Sequence, residues 1–402
     1  MSFFADLQKV LRQNIREYGM YIALFLIMAY FTVMTKGIFI SSRNISNLIN
    51  QTGYIAVLAV GMTLVIVIRH IDLSVGYLSG FLGAIAAIAM ADPQVIASGL
   101  RLPVALVIPM VMVLGVLAGL FTAFLVAQMK IPAFVATLAG WLGYRGALQL
   151  VTAGTGTIII SDETFNALSN GFVPDIPGLE GFLPGVHKLT IILGILAAIL
   201  VIINEINDRR KKQAYNFEVL SPEIFILKLV FMSAIIGGIT WNMAGYQGLS
   251  WTVIIVLAVV LIYNFMAEGT VLGRHIYAVG GNPEAAELSG ISVKRITYMV
   301  FGSMGLLAAL SGILYASRFK SATTTAGTAL EFDAITAAFI GGVSPAGGIG
   351  KVVGSIIGAL VMGSLSSGMN LMGIDISLQY IVKAAVLAVA VIFDVATRNR
   401  AK

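Results

Sequence analysis

Eleven stretches of this chain are each apolar over roughly the 20 residues that a bilayer-crossing helix needs, and that property restricts the fold to an all-α, polytopic bundle of transmembrane helices. In hydrocarbon every backbone N–H and C=O must be satisfied within the segment itself, which a helix does. The stretches run 19–35, 47–68, 74–91, 103–128, 131–151, 188–206, 223–243, 250–267, 298–317, 350–371 and 376–395. A shorter apolar piece at 332–343 fits a broken helix. Eleven crossings would leave the two ends on opposite faces; counting the short piece makes the number even and returns both ends to one side. Ten to twelve segments, some broken or short, within a single transmembrane domain over 1–402 are therefore expected.

The basic residues fix which side. Lys9, Arg12, Arg16, Arg69, Lys130, Arg209, Arg210, Lys211, Lys212, Lys228, Arg274, Lys294, Arg295, Lys351, Arg398, Arg400 and Lys402 fall on one face of this arrangement. Only Lys36, Arg43, Arg101, Lys188, Arg318 and Lys320 fall on the other, while Arg145 and Lys383 lie within spans. Lys and Arg concentrate on cytoplasmic loops, so both termini are expected in the cytoplasm. The net charge of +6 follows this pattern, without the basic patches interleaved with aromatics that nucleic acid requires. Cysteine is absent and the three histidines, His70, His187 and His275, are scattered, which removes thiol chemistry and a Cys- or His-built metal site from consideration.

Residues 1–18 place Phe3, Leu7, Val10, Leu11 and Ile15 at helical spacing with Lys9, Arg12 and Arg16 opposite, the pattern of an interfacial cytoplasmic helix. No small-residue cleavage site follows, so 19–35 reads as an uncleaved first span. The external loop 152–188 is rich in Gly and Pro and carries Asp162, Glu163, Asp175 and Glu180; it fits a solvated connector or a docking surface equally well. The connector 207–222 contains Arg209, Arg210, Lys211 and Lys212 and serves as a positive-inside anchor.

Within the cytoplasmic loop 268–297, the sequence GRHIYAVGGNPEAAELSGI (273–291) encodes a short self-capped helix. Asn282 suits the N-cap, Pro283 the first helical position and Glu284 the positive end of the dipole, and Gly290 supplies a left-handed stop. Two turns are too few to be stable in water alone, so Asn282, Pro283, Glu284, Ala285, Ala286, Glu287, Leu288, Ser289 and Gly290 are expected to pack against a partner.

A nucleotide site is not evident. In GGVSPAGGIGKVV, Lys351 follows several glycines, but a phosphate loop requires Gly at 345, where Pro stands, and Ser or Thr at 352, where Val stands. No nucleophile elbow or catalytic carboxylate pair is present, so no enzymatic activity or cofactor is expected on this chain. The remaining chemistry lies in ionisable residues in or beside spans. Asp72 can cap the helix that begins near Leu73, Arg69 and Asp394 sit near span ends where snorkelling is expected, Glu331 and Asp333 lie at the short apolar piece, and Arg145 and Lys383 are deep enough to pair with an acid or line a polar path. Glycines at helix-packing spacing, Gly350/Gly354/Gly358, Gly115/Gly119 and Gly76/Gly80, indicate close helix contacts.

Four blocks, RNISNLINQTGYIAVLAVGMTLVIVIRHIDLSVG (43–76), KIPAFVATLAG (130–140), the loop from Gly273, and DAITAAFIGGVSPAGGIG (333–350), together resemble the membrane permeases of bacterial monosaccharide ABC importers, of the ribose, xylose and multiple-sugar type. The resemblance covers nearly the whole chain. It implies that 284–290 is the coupling helix seated on a separate ATPase subunit that holds ATP and Mg, that a sugar-binding protein delivers substrate from outside, and that sugar, xylose or a related pentose or hexose, passes between two permease copies in the plasma membrane. A path for a neutral, hydroxyl-rich solute calls for amides and hydroxyls; Asn47, Gln51, Thr63, Asp72, Ser74, Asn242 and Asn370 are its candidates. The competing reading is a proton-coupled secondary transporter relaying protons through Arg69, His70 and Asp72.

Overall fold

The computed structural model describes residues 15–94, 96–178, 183–217 and 219–399, with side chains from 19 to 396. Residues 1–14 of the expected interfacial helix, Glu180, Arg400 and Lys402 lie outside what is described, as do the side chains of 15–18 and of Arg398. The chain is a helical bundle, and eight of its described helices are long and apolar enough to cross a membrane.

In chain order the helices are α1 (Ile15–Met34), α2 (Ser42–Val67), α3 (Val75–Met90), α4 (Val104–Ala123), α5 (Ala133–Thr152), α6 (Glu163–Asn170), α7 (Lys188–Ala214), α8 (Pro222–Ala244), α9 (Trp251–Asn264), α10 (Val271–Gly281), α11 (Pro283–Leu288), α12 (Val293–Phe319), α13 (Leu330–Ile340), α14 (Val352–Leu371) and α15 (Ile376–Asn399). Helices α4 and α9 each run on into one π-helical turn, Phe124–Gln128 and Phe265–Gly269.

Two central helices organise the rest. Every residue of α2 from Thr52 to Val67 is buried, which is why this segment is apolar all round. It lies antiparallel to α12: the Ser311 hydroxyl donates to the Tyr54 carbonyl at 2.9 Å, while Gly61, further along α2, packs on Met304, earlier in α12. Lipid supplies no hydrophobic drive between helices, so close approach must hold them. The α4–α12 crossing shows how: a methyl group at Gly115 would collide with the Gly305 carbonyl, and one at Gly119 with that of Phe301.

Each central helix ends on a basic residue in the left-handed conformation, Arg69 (φ 66°) and Lys320 (φ 52°), and the chain then turns back into the bundle. The return leads to α3 after α2 and to the short α13 after α12. Gly83 lies beside Gly312 and Ala316, about two-thirds of the way along α12; Gly76 is seven residues lower, roughly 10 Å, and meets Gly327 and Glu331. Helices α3 and α13 thus begin near mid-bundle with their N-termini facing each other, the broken-helix arrangement of a membrane transport site.

The loop 152–188 is not free. Its Thr157–Ile159 strand pairs antiparallel with Ser321–Thr323, and α6 packs on the C-terminal end of α12, where the Ser169 hydroxyl donates to the Leu314 carbonyl at 2.9 Å. Asp162 caps α6 by accepting from the Phe165 N–H at 2.8 Å, and Asp175 accepts from the N–H groups of Lys188 (3.1 Å) and Leu189 (2.9 Å) at the start of α7. Two of the loop's acids are therefore bound within the fold. The α7–α8 hairpin is peripheral, its two helices packing mainly on each other with Lys228 bonded to Glu205 at 2.6 Å.

Candidate transport site and cytoplasmic coupling element

Helix α11 is capped locally at both ends. The Asn282 side chain accepts from the Ala285 N–H at 3.1 Å, and Pro283 opens the first turn. At the other end Gly290 (φ 84°) allows its own N–H to reach the Glu287 carbonyl at 2.9 Å and the Ile291 N–H to reach that of Ala286 at 3.0 Å, closing a Schellman motif. Ala286 is the buried anchor. Leu288, by contrast, is 91 % exposed, an apolar side chain held out from a capped helix.

The base of this element is bound to both re-entrant segments. Arg69 donates from Nε to the Gly280 carbonyl at 2.6 Å and from Nη2 to that of Gly281, so its guanidinium caps the C-terminus of α10. The expected snorkelling of Arg69 is replaced by this bond, because a helix end lies within its reach. On the other side the Gly348 N–H donates to the Val67 carbonyl at 2.9 Å and the Tyr277 hydroxyl to that of Gly350 at 2.6 Å. Gly280 sits where the three segments touch; any side chain there would strike Val67 and Gly348. The 341–351 loop is in turn held to α15, the Ser344 hydroxyl donating to Asp394 at 3.2 Å.

At mid-bundle, two positive helix ends that face each other call for negative charge, and the sequence supplies Asp72 before α3 and Glu331 and Asp333 in the first turn of α13. Asp72 accepts from the Ser74 N–H at 2.9 Å and the Ser74 hydroxyl at 2.6 Å, an Asx turn just ahead of the helix. Asp333 receives Lys383 of α15 at 2.9 Å. Glu331, 1 % exposed, accepts from Trp141 Nε1 of α5 at 2.8 Å through one oxygen, while the other has no hydrogen-bond partner. Trp141 meets Tyr77 edge-on at 5.0 Å, and Arg145 lies over both rings, 5.5 Å from Trp141 and 5.8 Å from Tyr77.

The sequence-expected path residues are placed apart. Thr63 is fully buried and bonded to the Ala59 carbonyl and the Ser355 hydroxyl; Asp72 and Ser74 are buried and bonded to each other. Asn47 accepts from Arg318 at 3.2 Å, Asn370 accepts from Gln379 at 2.8 Å, Gln51 is half-buried on α2, and Asn242 belongs to the peripheral hairpin. Nor do Arg69, His70 and Asp72 form a relay: Arg69 points to α10, His70 lies 5.8 Å from the Phe301 ring, and Asp72 serves Ser74. Glu331 was expected among the ionisable candidates, but its bond to Trp141 was not. An acid two residues from Asp333 at the start of a short apolar helix was its only sequence signal.

Paired broken helices at mid-bundle within a polytopic helical bundle are the arrangement of a membrane transport protein. The chain belongs to the family described as the branched-chain amino acid transport system permease component, whose profile matches residues 44–391. It is 37 % identical over 387 residues to the xylose transport system permease protein of Haemophilus influenzae, covering 96 % of this chain and 98 % of that protein. The xylose transport system permease protein of Escherichia coli K12 is also 37 % identical, over 96 % of this chain and 93 % of its own length. The ribose import permease protein of H. influenzae is 34 % identical over 94 % of this chain and 93 % of that protein. No solved structure matches the fold.

Proposed function

We propose that this chain is the transmembrane permease of an ATP-driven importer for a monosaccharide, xylose or a related pentose or hexose, in the bacterial plasma membrane with both termini cytoplasmic. The family profile carries an amino-acid transport description, but full-length similarity to xylose and ribose permeases favours sugar as cargo. ATP and Mg belong to a separate ATPase subunit, an external binding protein delivers the sugar, and a second permease copy completes the path.

The observation that carries this reading is Leu288, 91 % exposed on a helix whose ends are both capped. A rigid helix bearing an apolar knob suits insertion into a groove of the ATPase. Movement of α11 would pass through Arg69 to the turn before α3 and through Gly348 and Tyr277 to the loop between α13 and α14. Both half-helices are then displaced together, rigid elements rocking about a fixed mid-membrane site. Leu288→Asp should abolish ATPase co-purification in mild detergent while leaving the permease in the membrane; retention of the ATPase by that variant would defeat the assignment.

A further inference from the structure

Arg145 is twelve residues into a twenty-residue span, exposed, and without a carboxylate partner among the described residues. A guanidinium facing hydrocarbon at that depth is costly enough that such residues face a water-filled cavity or the interior of an assembly. Its surroundings on α5 are open: side chains added at Gly143 or Gly146 would meet nothing within 4 Å, and Gln149, one turn on, is exposed as well. Apart from Arg145 beside the Tyr77 ring, this stripe is open, and its polar groups do not suit lipid.

We propose that Trp141 and Arg145 form a contact station for an uncharged polyol on the wall of the translocation path, with buried Tyr77 backing the indole and Glu331 as a positioning residue beneath them. The proposal rests on the monosaccharide reading above. The half-buried indole of Trp141 offers an apolar face for the C–H surface of a pyranose. Tyr77, 5 % exposed, meets that ring edge-on at 5.0 Å from within the bundle, and the exposed Arg145 guanidinium beside them presents N–H donors to the sugar hydroxyls. The indole is oriented by its 2.8 Å bond to Glu331, whose remaining oxygen is buried against Gly76. The mid-bundle carboxyls of Asp72, Glu331 and Asp333 outnumber the cations Arg145 and Lys383, so the site holds no excess of positive charge. A neutral ligand suits such a site better than a sugar phosphate, which would need an excess of cations. The site also lies where α3 and α13 meet α5, so displacement of the half-helices would alter its shape.

The natural absence of cysteine makes the test direct. Arg145→Cys, Gln149→Cys and, as a lipid-facing control on α4, Val113→Cys are each introduced into the otherwise cysteine-free chain. The importer assembled with its ATPase and binding protein in proteoliposomes is treated with a charged, membrane-impermeant thiosulfonate. Reaction at 145 and 149 should be at least about tenfold faster than at 113, because these reagents require water and thiolate, and should slow when xylose-loaded binding protein and ATP are supplied. Reaction at both positions as slow as at 113, or fast reaction indifferent to xylose, would overturn the station. Trp141→Leu should cut xylose uptake per ATP hydrolysed by roughly tenfold, the loss of about 1.4 kcal/mol of contact, and should change the xylose-to-ribose ratio, whereas Trp141→Phe should keep that ratio. Uptake by Trp141→Leu at the unaltered rate and ratio would also overturn it. Wild-type vesicles run in parallel separate the two readings: if they import no pentose, the sugar assignment has failed, whatever the labelling pattern.

Discussion

Arg69, at the turn between the central helix α2 and the half-helix α3, donates at 2.6 Å to the carbonyl of Gly280, two residues before the N-cap of α11. The two residues are 211 positions apart in sequence, and their bond joins the base of the α10–α11 segment to the turn that leads into α3. Lysine has neither the planar fork nor the reach to hold two adjacent carbonyls. Arg69→Lys should therefore leave the ATPase bound and hydrolysing while sugar uptake per ATP falls at least about tenfold. The measurement is the ratio of labelled sugar imported to phosphate released; an unchanged ratio would place transmission elsewhere.

Helices α4 and α12 cross on bare backbone. Gly119→Val would force branched carbons into the Phe301 carbonyl, against atoms that cannot yield without moving a helix. The expected result is a loss of stability of about 3 kcal/mol or more, visible as aggregation at lower temperature in fluorescence-detected size-exclusion chromatography. Gly143→Ala, with open space around it, should be silent in the same assay.

Lys383 and Asp333 join α15 to the first turn of α13 at 2.9 Å, with side chains 21 % and 9 % exposed. Removing only Lys383 leaves a carboxylate unpaired in low dielectric, at a cost of about 3–5 kcal/mol. Lys383→Met alone should be poorly expressed, and the double variant Lys383→Met/Asp333→Leu should recover membrane levels, because replacing a whole buried pair by apolar groups is often neutral.

Asp175, outside the membrane, is held well below the usual carboxylate range. Desolvation opposes this, but the N–H groups of Leu189, Lys188 and Ile176 and the neighbouring His187 outweigh it. A depressed carboxyl contributes stability that is fully present above its unfolded pKa and is lost as pH falls through the folded one. The thermal-stability gap between wild type and Asp175→Asn should thus be full at pH 5 and shrink only below about pH 4. A gap that had already closed at pH 5 would contradict the role of these N–H groups.

What could be read from the sequence was what is local. Most apolar runs fell within a few residues of a helix, though eight described helices and not eleven are long and apolar enough to cross, and the helix expected over 188–206 runs on to Ala214. The caps of α11, from Asn282 to Gly290, were legible because each bond closes within a few positions. What was illegible depends on chain segments far apart. Nothing near Arg69 announces Gly280, and Trp141 gives no sign of Glu331, 190 residues on. Polar residues within spans misled for a related reason: Thr63, Asp72 and Ser74 look available in sequence but are consumed by partners inside the bundle. The loop 152–188 looked solvated because Asp162 and Asp175 are acidic, yet both serve as helix caps.

The central claim is that transport through this chain is driven from outside it. The most direct measurement is uptake of labelled xylose into proteoliposomes holding the purified chain alone, then with ATPase, binding protein and ATP added in turn. Uptake should be absent until all three are present and should ignore an imposed pH gradient. Uptake by the chain alone, driven by that gradient, would contradict the claim and restore a proton-coupled mechanism.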